Sequence, residues 1–193
     1  MKKEIRLILT EDMLGTVPLD KEIYSNFIES KKPPETEESE VDTVADIKGE
    51  TGFHEDKVGV FIYDYMIKGF LKEACSCMRR VTGSKSSKLA AFKKVIDGLV
   101  FIYPRKLYIN TQGEPMGVLE RPLRASTAQG ERVALAKSQT VPSGSTIDFE
   151  VNILGGVTED LFKELMDYGA FKGLGQWRNA SYGRFEWNEV KRS

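Results

Sequence analysis

Charged and apolar side chains alternate from Glu4 and then give way to apolar ones before Thr10 (EIRLILT), the pattern of a strand with one face on a core. The segment Glu11–Thr16 leaves that strand through a turn containing Gly15, and Lys21–Ser30 has the spacing of a short helix. The character then changes. Between Lys31 and Glu50 stand two prolines, seven acids and few large apolar groups, so this stretch can bury little surface. It reads as a flexible acidic loop inserted in the fold. From Phe61 to Val81 the apolar residues Tyr63, Met66, Ile67, Phe70, Leu71, Ala74 and Met78 recur at spacings of three and four, which predicts a helix with one buried stripe.

A second helix is expected over Lys88–Asp97, stopped by Gly98. Strands are expected at Leu99–Tyr103 and Lys106–Asn110, separated by Pro104, and at Gly117–Arg124 and Glu131–Gln139. After the turn Val141-Pro142-Ser143-Gly144, the run Ser145–Leu154 puts Ile147, Phe149, Val151 and Ile153 on one face and Asp148, Glu150 and Asn152 on the other. Thr158 is placed to cap a helix to about Tyr168, with Asp160 where the helix dipole favours a negative charge. A glycine-rich segment, Gly173–Gly183, precedes a last strand at Arg184–Val190. Strands separated by two helical blocks predict an α+β, ferredoxin-like antiparallel sheet with helices on one face. The chain is expected to be one domain over residues 1–193, with a flexible or thumb-like insertion at about 20–57.

A formal net charge of −1 argues against histone-like binding but leaves local basic patches open. A charged N-terminus (Met1-Lys2-Lys3-Glu4) and the lack of a membrane-length apolar run predict a cytoplasmic protein with no membrane partner. Cys75 and Cys77, two apart on the same predicted helix, point in different directions, and with one histidine in the chain they predict no metal site. No cofactor is expected.

Binding chemistry concentrates in Lys172-Gly173-Leu174-Gly175-Gln176-Trp177-Arg178-Asn179-Ala180-Ser181-Tyr182-Gly183-Arg184-Phe185. The backbone at Gly173, Gly175 and Gly183 can approach a ligand closely and take positive φ. Arg178 and Arg184 can form forked hydrogen bonds to phosphate, and Trp177 and Tyr182 offer faces for stacked bases. A tight hairpin with inward aromatics and solvated arginines is the competing reading. Between Lys68 and Lys106 stand ten basic residues against Glu73 and Asp97, a second candidate basic face.

These segments resemble the repeat-associated RNA-binding superfamily of CRISPR proteins. Gly173–Phe185 is similar to its terminal glycine-rich loop, and the first strand with Leu14-Gly15-Thr16 to its opening strand and small-residue turn. Ile67-Lys68-Gly69-Phe70-Leu71-Lys72 through Arg79 looks like its lysine-glycine helix, with Lys72 where arginine is usual; Val141–Ser145 resembles its proline-glycine element. The resemblance implies an RNA-recognition-type domain that holds guide-type single-stranded RNA by its phosphates, without catalysis. Lys68, Lys72, Arg79, Arg178 and Arg184 would be the cationic ligands. Other effector subunits, or further copies of the chain, would be its protein partners. Two alternatives follow. The acidic loop could join or inhibit a CRISPR effector complex, or His54, read as a loop residue, could act in an RNA-processing endonuclease; neither Asp12 nor Asp20 is singled out as a cleaving group.

Overall fold

The computed structural model describes residues 1–19, 50–127 and 130–190. The first elements are β1 (Lys2–Leu9), β2 (Met13–Leu14), β3 (Val17–Pro18), β4 (Glu50–Gly52), β5 (His54–Glu55), β6 (Val60–Tyr63) and helix α1 (Asp64–Met78). There follow α2 (Phe92–Leu99), β7 (Val100–Tyr103), β8 (Lys106–Asn110), β9 (Gly117–Thr127), β10 (Gly130–Val141), β11 (Thr146–Ile153), α3 (Glu159–Asp167) and β12 (Phe185–Glu189).

Four of these strands make the central sheet in the order β12-β1-β11-β7, every neighbouring pair antiparallel. Helix α1 leads to β7 and α3 links β11 to β12, which is the ferredoxin-like βαββαβ arrangement. Strand β8 follows the cis Tyr103–Pro104 bond, takes up the other end of β11 and carries β6 and β5 beyond it. Ile5, Leu7 and Leu9 of β1 and Ile147, Phe149, Val151 and Ile153 of β11 point to one side. There they pack with Ile67, Phe70 and Leu71 of α1 and Leu161, Phe162 and Leu165 of α3 in a single core. Each such side chain contributes about 1.5–3 kcal/mol by leaving water. The opposite face is polar: Arg6 donates Nε and Nη2 to the two carboxylate oxygens of Asp148, both at 2.7 Å.

Several expected boundaries move. Helix α1 starts at Asp64, because Phe61, Ile62 and Tyr63 pair with Tyr108, Leu107 and Lys106 of β8. Apolar residues that continue the helical stripe in sequence are therefore strand. Helix α2 begins at Phe92, after Ala91 takes a positive φ of 49°, and runs through Gly98 straight into β7. His54 is not a loop residue: it lies in β5, half-buried, with its ring stacked on Phe61 at 5.5 Å and edge-on to Tyr63 at 4.7 Å. Thr158 caps α3, its hydroxyl accepting from the Leu161 amide at 3.3 Å.

A second sheet, β2-β10-β4-β3 with β9 on β10, was not anticipated; β10 pairs with β4 in parallel and with β9 along its length. The expected helix at Lys21–Ser30, Asp20 and the acidic loop up to residue 49 lie outside the described residues. The end of the expected insertion is ordered into β4 and β5. Among the described residues no helix is long and apolar enough to cross a membrane.

Candidate nucleic-acid interface

Three turns meet where β1 passes into β2 and β10 passes into β11. The Gly183 amide donates to the Asp12 carbonyl at 2.8 Å, and the Gln176 amide to the Leu14 carbonyl at 3.2 Å. Thr10 donates to the Arg184 carbonyl, Gly15 to that of Gln139, and Gly144 to that of Leu9. The Asp12 carboxylate accepts from the Ser143 amide at 2.9 Å, which commits it to holding the turn. The glycine-rich segment, the Leu14-Gly15-Thr16 turn and the Pro142-Ser143-Gly144 turn are thus one structural unit. The glycines serve this packing rather than an open ligand surface. A Cβ on Gly183 would stand 1.9 Å from the Leu174 carbonyl oxygen, and one on Gly173 would stand 1.8 Å from that of Gly183.

What this unit displays is aromatic and cationic. Trp177, with a positive φ of 50°, opens a single turn over Arg178–Ala180, and Tyr182 stacks on its ring at 5.4 Å with 15° between planes. Trp177 remains 46% exposed, so the inward-packed hairpin is not what forms. Arg178 pairs with Glu73 of α1, and Lys172 reaches the other oxygen of the same carboxylate at 2.7 Å. Burial pushes the Glu73 carboxyl up, but hydrogen bonds from Lys172 and Arg178 outweigh it and hold the group below its usual range. Arg184 donates Nε to the Phe171 carbonyl at 3.2 Å.

The basic residues of α1 lie elsewhere. Lys72 pairs with Asp97 at 2.8 Å, and Lys68 donates to the Asp97 carbonyl and sits 4.9 Å over the Phe101 ring. Arg79 lies 5.2 Å over Phe92. These three face α2, whereas Glu73, about 100° further round the helix from Lys72, faces the glycine-rich segment. The structure therefore brings together Trp177, Arg178, Tyr182, Arg184 and the three glycines, and leaves Lys68, Lys72 and Arg79 apart from them.

Residues missed in the sequence complete the cluster. Arg121 of β9 lies 4.6 Å over the Trp177 ring and donates Nη2 to Gln176 Oε1 at 3.3 Å. Nothing local marks it, since only the strand pairing brings β9 to this place. Lys172 and Glu73 were visible as charges but not as partners.

His54 has ring contacts only, and burial lowers its pKa, so its imidazole is biased to the neutral form. Nearby Asp56 is held down to about 2, by Lys106 at 2.5 Å and then by the Val58 amide, which keeps it ionised rather than free to take a proton. Cys75 is buried and Cys77 half-buried, both as free thiols. Among the described residues no three or more metal-ligating side chains are grouped.

No family model matches the chain, and no curated protein does. Solved structures do. A chain in the cryo-EM structure of the Type III-B Cmr-beta bound to cognate target RNA is similar over 98% of this chain and 60% of its own length, with a TM-score of 0.54 and 14% identity. A chain of a Type IV-B CRISPR complex is similar over 100% of this chain and 92% of its own, with a TM-score of 0.51 and 11% identity. The chain thus spans about 60% of the first of these. At such identities the likeness establishes a fold shared with chains of CRISPR complexes.

Proposed function

We propose that this chain is a non-catalytic RNA-binding subunit of a CRISPR-type ribonucleoprotein, and that the glycine-rich unit grips single-stranded RNA. One observation carries the reading: a backbone-tied loop presents a stacked, half-exposed Trp177–Tyr182 pair beside Lys172, Arg178 and Arg184, on a fold found in chains of CRISPR complexes. Stacking gives affinity without sequence preference, and cations follow the phosphates. The chain would act as one RNA-recognition-type domain, with other effector subunits or further copies as protein partners. The neutral, ring-packed His54 has no polar partner among the described residues to make it an acid or base, so no cleavage is expected.

Fluorescence anisotropy with labelled single-stranded RNA at several salt concentrations tests this. The wild type should bind with a steep salt dependence, and Arg178→Gln with Arg184→Gln should lower the slope by roughly 1.4, about 0.7 per phosphate lost. No binding at low salt would remove the RNA function while leaving the fold intact.

Glu73 makes a second, opposite prediction. Its carboxylate competes with phosphate for Lys172 and Arg178. Glu73→Gln should tighten RNA binding about fivefold, the effect of removing one charge roughly 8 Å from a phosphate at a screened protein surface. Weaker binding would mean instead that Glu73 orients Arg178 for the RNA.

A further inference from the structure

The guanidinium of Arg121 is the one described side chain with buried nitrogens left without a partner. Its Nε and Nη1 are both closed off from the surface and donate to no partner, while Nη2 alone donates to Gln176. No carboxylate pairs with it among the described residues, and Glu73, the carboxylate of the cluster, is taken by Lys172 and Arg178. Its cross-strand neighbour on β10 is Ala136, too short to offer a polar atom. What covers the guanidinium is the indole of Trp177, 4.6 Å away, a residue that is itself 46% exposed. Two buried guanidinium nitrogens with idle donors are costly, and an aromatic face offsets only part of that cost. A purely structural arginine would be expected to have found an acceptor. A guanidinium with idle N–H groups on Nε and Nη1 suits an oxyanion, whose oxygens accept from a cation.

We propose that Arg121 is a phosphate ligand kept in reserve beneath Trp177, and that an incoming nucleotide draws the indole aside, stacks its base on it, and places its phosphate on the uncovered guanidinium. This rests on the glycine-rich unit being an RNA site, and it adds to that site a residue from a different sheet together with a movement. The backbone favours such a hinge. Trp177 and Ser181 both hold positive φ, at 50° and 75°, and they bracket the short turn that carries the indole. The backbone hydrogen bonds that tie the unit lie outside that turn, at Leu174, Gln176 and Gly183, and within it Arg178 is held to Glu73, so the indole has to move about that pair.

Trp187 is the other tryptophan of the chain, so Trp187→Phe leaves Trp177 as the single reporter. In that background, saturating single-stranded oligouridylate should quench the Trp177 emission severalfold, as a base replaces the cation against the ring. Arg121→Gln should weaken oligouridylate binding about tenfold and lower the salt slope by roughly 0.7, one phosphate contact. Arg121→Lys should keep the slope but lose part of the affinity, because the charge remains without the fork. If the wild type binds RNA with the expected slope while Trp177 emission stays constant, or while both Arg121 variants match it, the proposal is overturned and the RNA function stands. If the wild type binds no RNA, both fall together.

Discussion

Gly183→Ala should lower the unfolding free energy by about 3–4 kcal/mol and reduce RNA affinity at least tenfold, although residue 183 has no side chain to offer a ligand. The reason lies in two effects acting together. Gly183 has φ of +70°, a conformation costing an L-residue about 1–2 kcal/mol. A Cβ there would also meet the Leu174 carbonyl oxygen at 1.9 Å, a backbone atom that cannot swing away. The two backbones must part, which weakens the bond from the Leu174 amide to the Gly183 carbonyl and that from the Gly183 amide to Asp12, each contributing about 1 kcal/mol. Gly144 supplies the control. Its φ is +83°, but nothing lies within 4 Å of the position a Cβ would take. Gly144→Ala should therefore cost only the conformational term, about 1 kcal/mol. Equal shifts of the denaturation midpoint in the two variants would mean that close packing of the glycine-rich unit is not what fixes it.

The difference between these two glycines marks what was legible in the sequence. Both stand in turns, and both have glycine's signature, but only the folded chain distinguishes a free position from one pressed against another backbone. Strand β11 was legible because its period of two is unbroken over Ile147–Ile153, and α3 because Thr158 and Asp160 mark its start. The beginning of α1 was not, because Phe61-Ile62-Tyr63 is apolar in either conformation and the pairing with β8 decides it. Strands β2, β3 and β4, of two or three residues each, are too short to show any period, so the second sheet could not be foreseen. In the candidate site the aromatic and glycine pattern marked a segment that the fold gathers into one unit. The tally of basic residues after Lys68 did not tell which of them join that unit, because a count along the chain does not know which helix face a lysine occupies. Lys68 and Lys72 answer to Asp97 on α2, and the cation that completes the cluster is Arg121, from a strand with no local mark.

The connection between α1 and α2 carries a basic, serine-rich stretch, Gly83-Ser84-Lys85-Ser86-Ser87-Lys88. Its backbone does form an anion nest, and the anion is internal. Glu164 of α3 accepts from the Lys85 amide at 2.7 Å, from the Ser86 amide at 2.9 Å and from the Ser86 hydroxyl at 2.5 Å. Ser86 is fully buried, so its amide and hydroxyl have no outlet to water. Removing the carboxylate while keeping the donors leaves them unsatisfied, and Glu164→Ala should cost about 3 kcal/mol. Sulfate at tens of millimolar should recover part of that loss in the variant, by occupying the vacated nest, and should do much less for the wild type. The pH dependence has a definite sign. Burial raises the Glu164 carboxyl, but the Ser86 hydroxyl and the two amides outweigh it and hold the folded-state pKa below the usual value. The resulting stability is present above the unfolded carboxyl value, about 4.3, and is lost as the pH falls through the lower folded one. Glu164→Ala should remove that part of the acid dependence and leave the remainder, which a urea titration at pH 3 to 6 would read directly. Should sulfate stabilise both proteins alike and the acid profiles coincide, the nest is not what joins the α1–α2 connection to α3. RNA binding should be indifferent to the outcome, because a nest already filled by a carboxylate has nothing left to offer a phosphate.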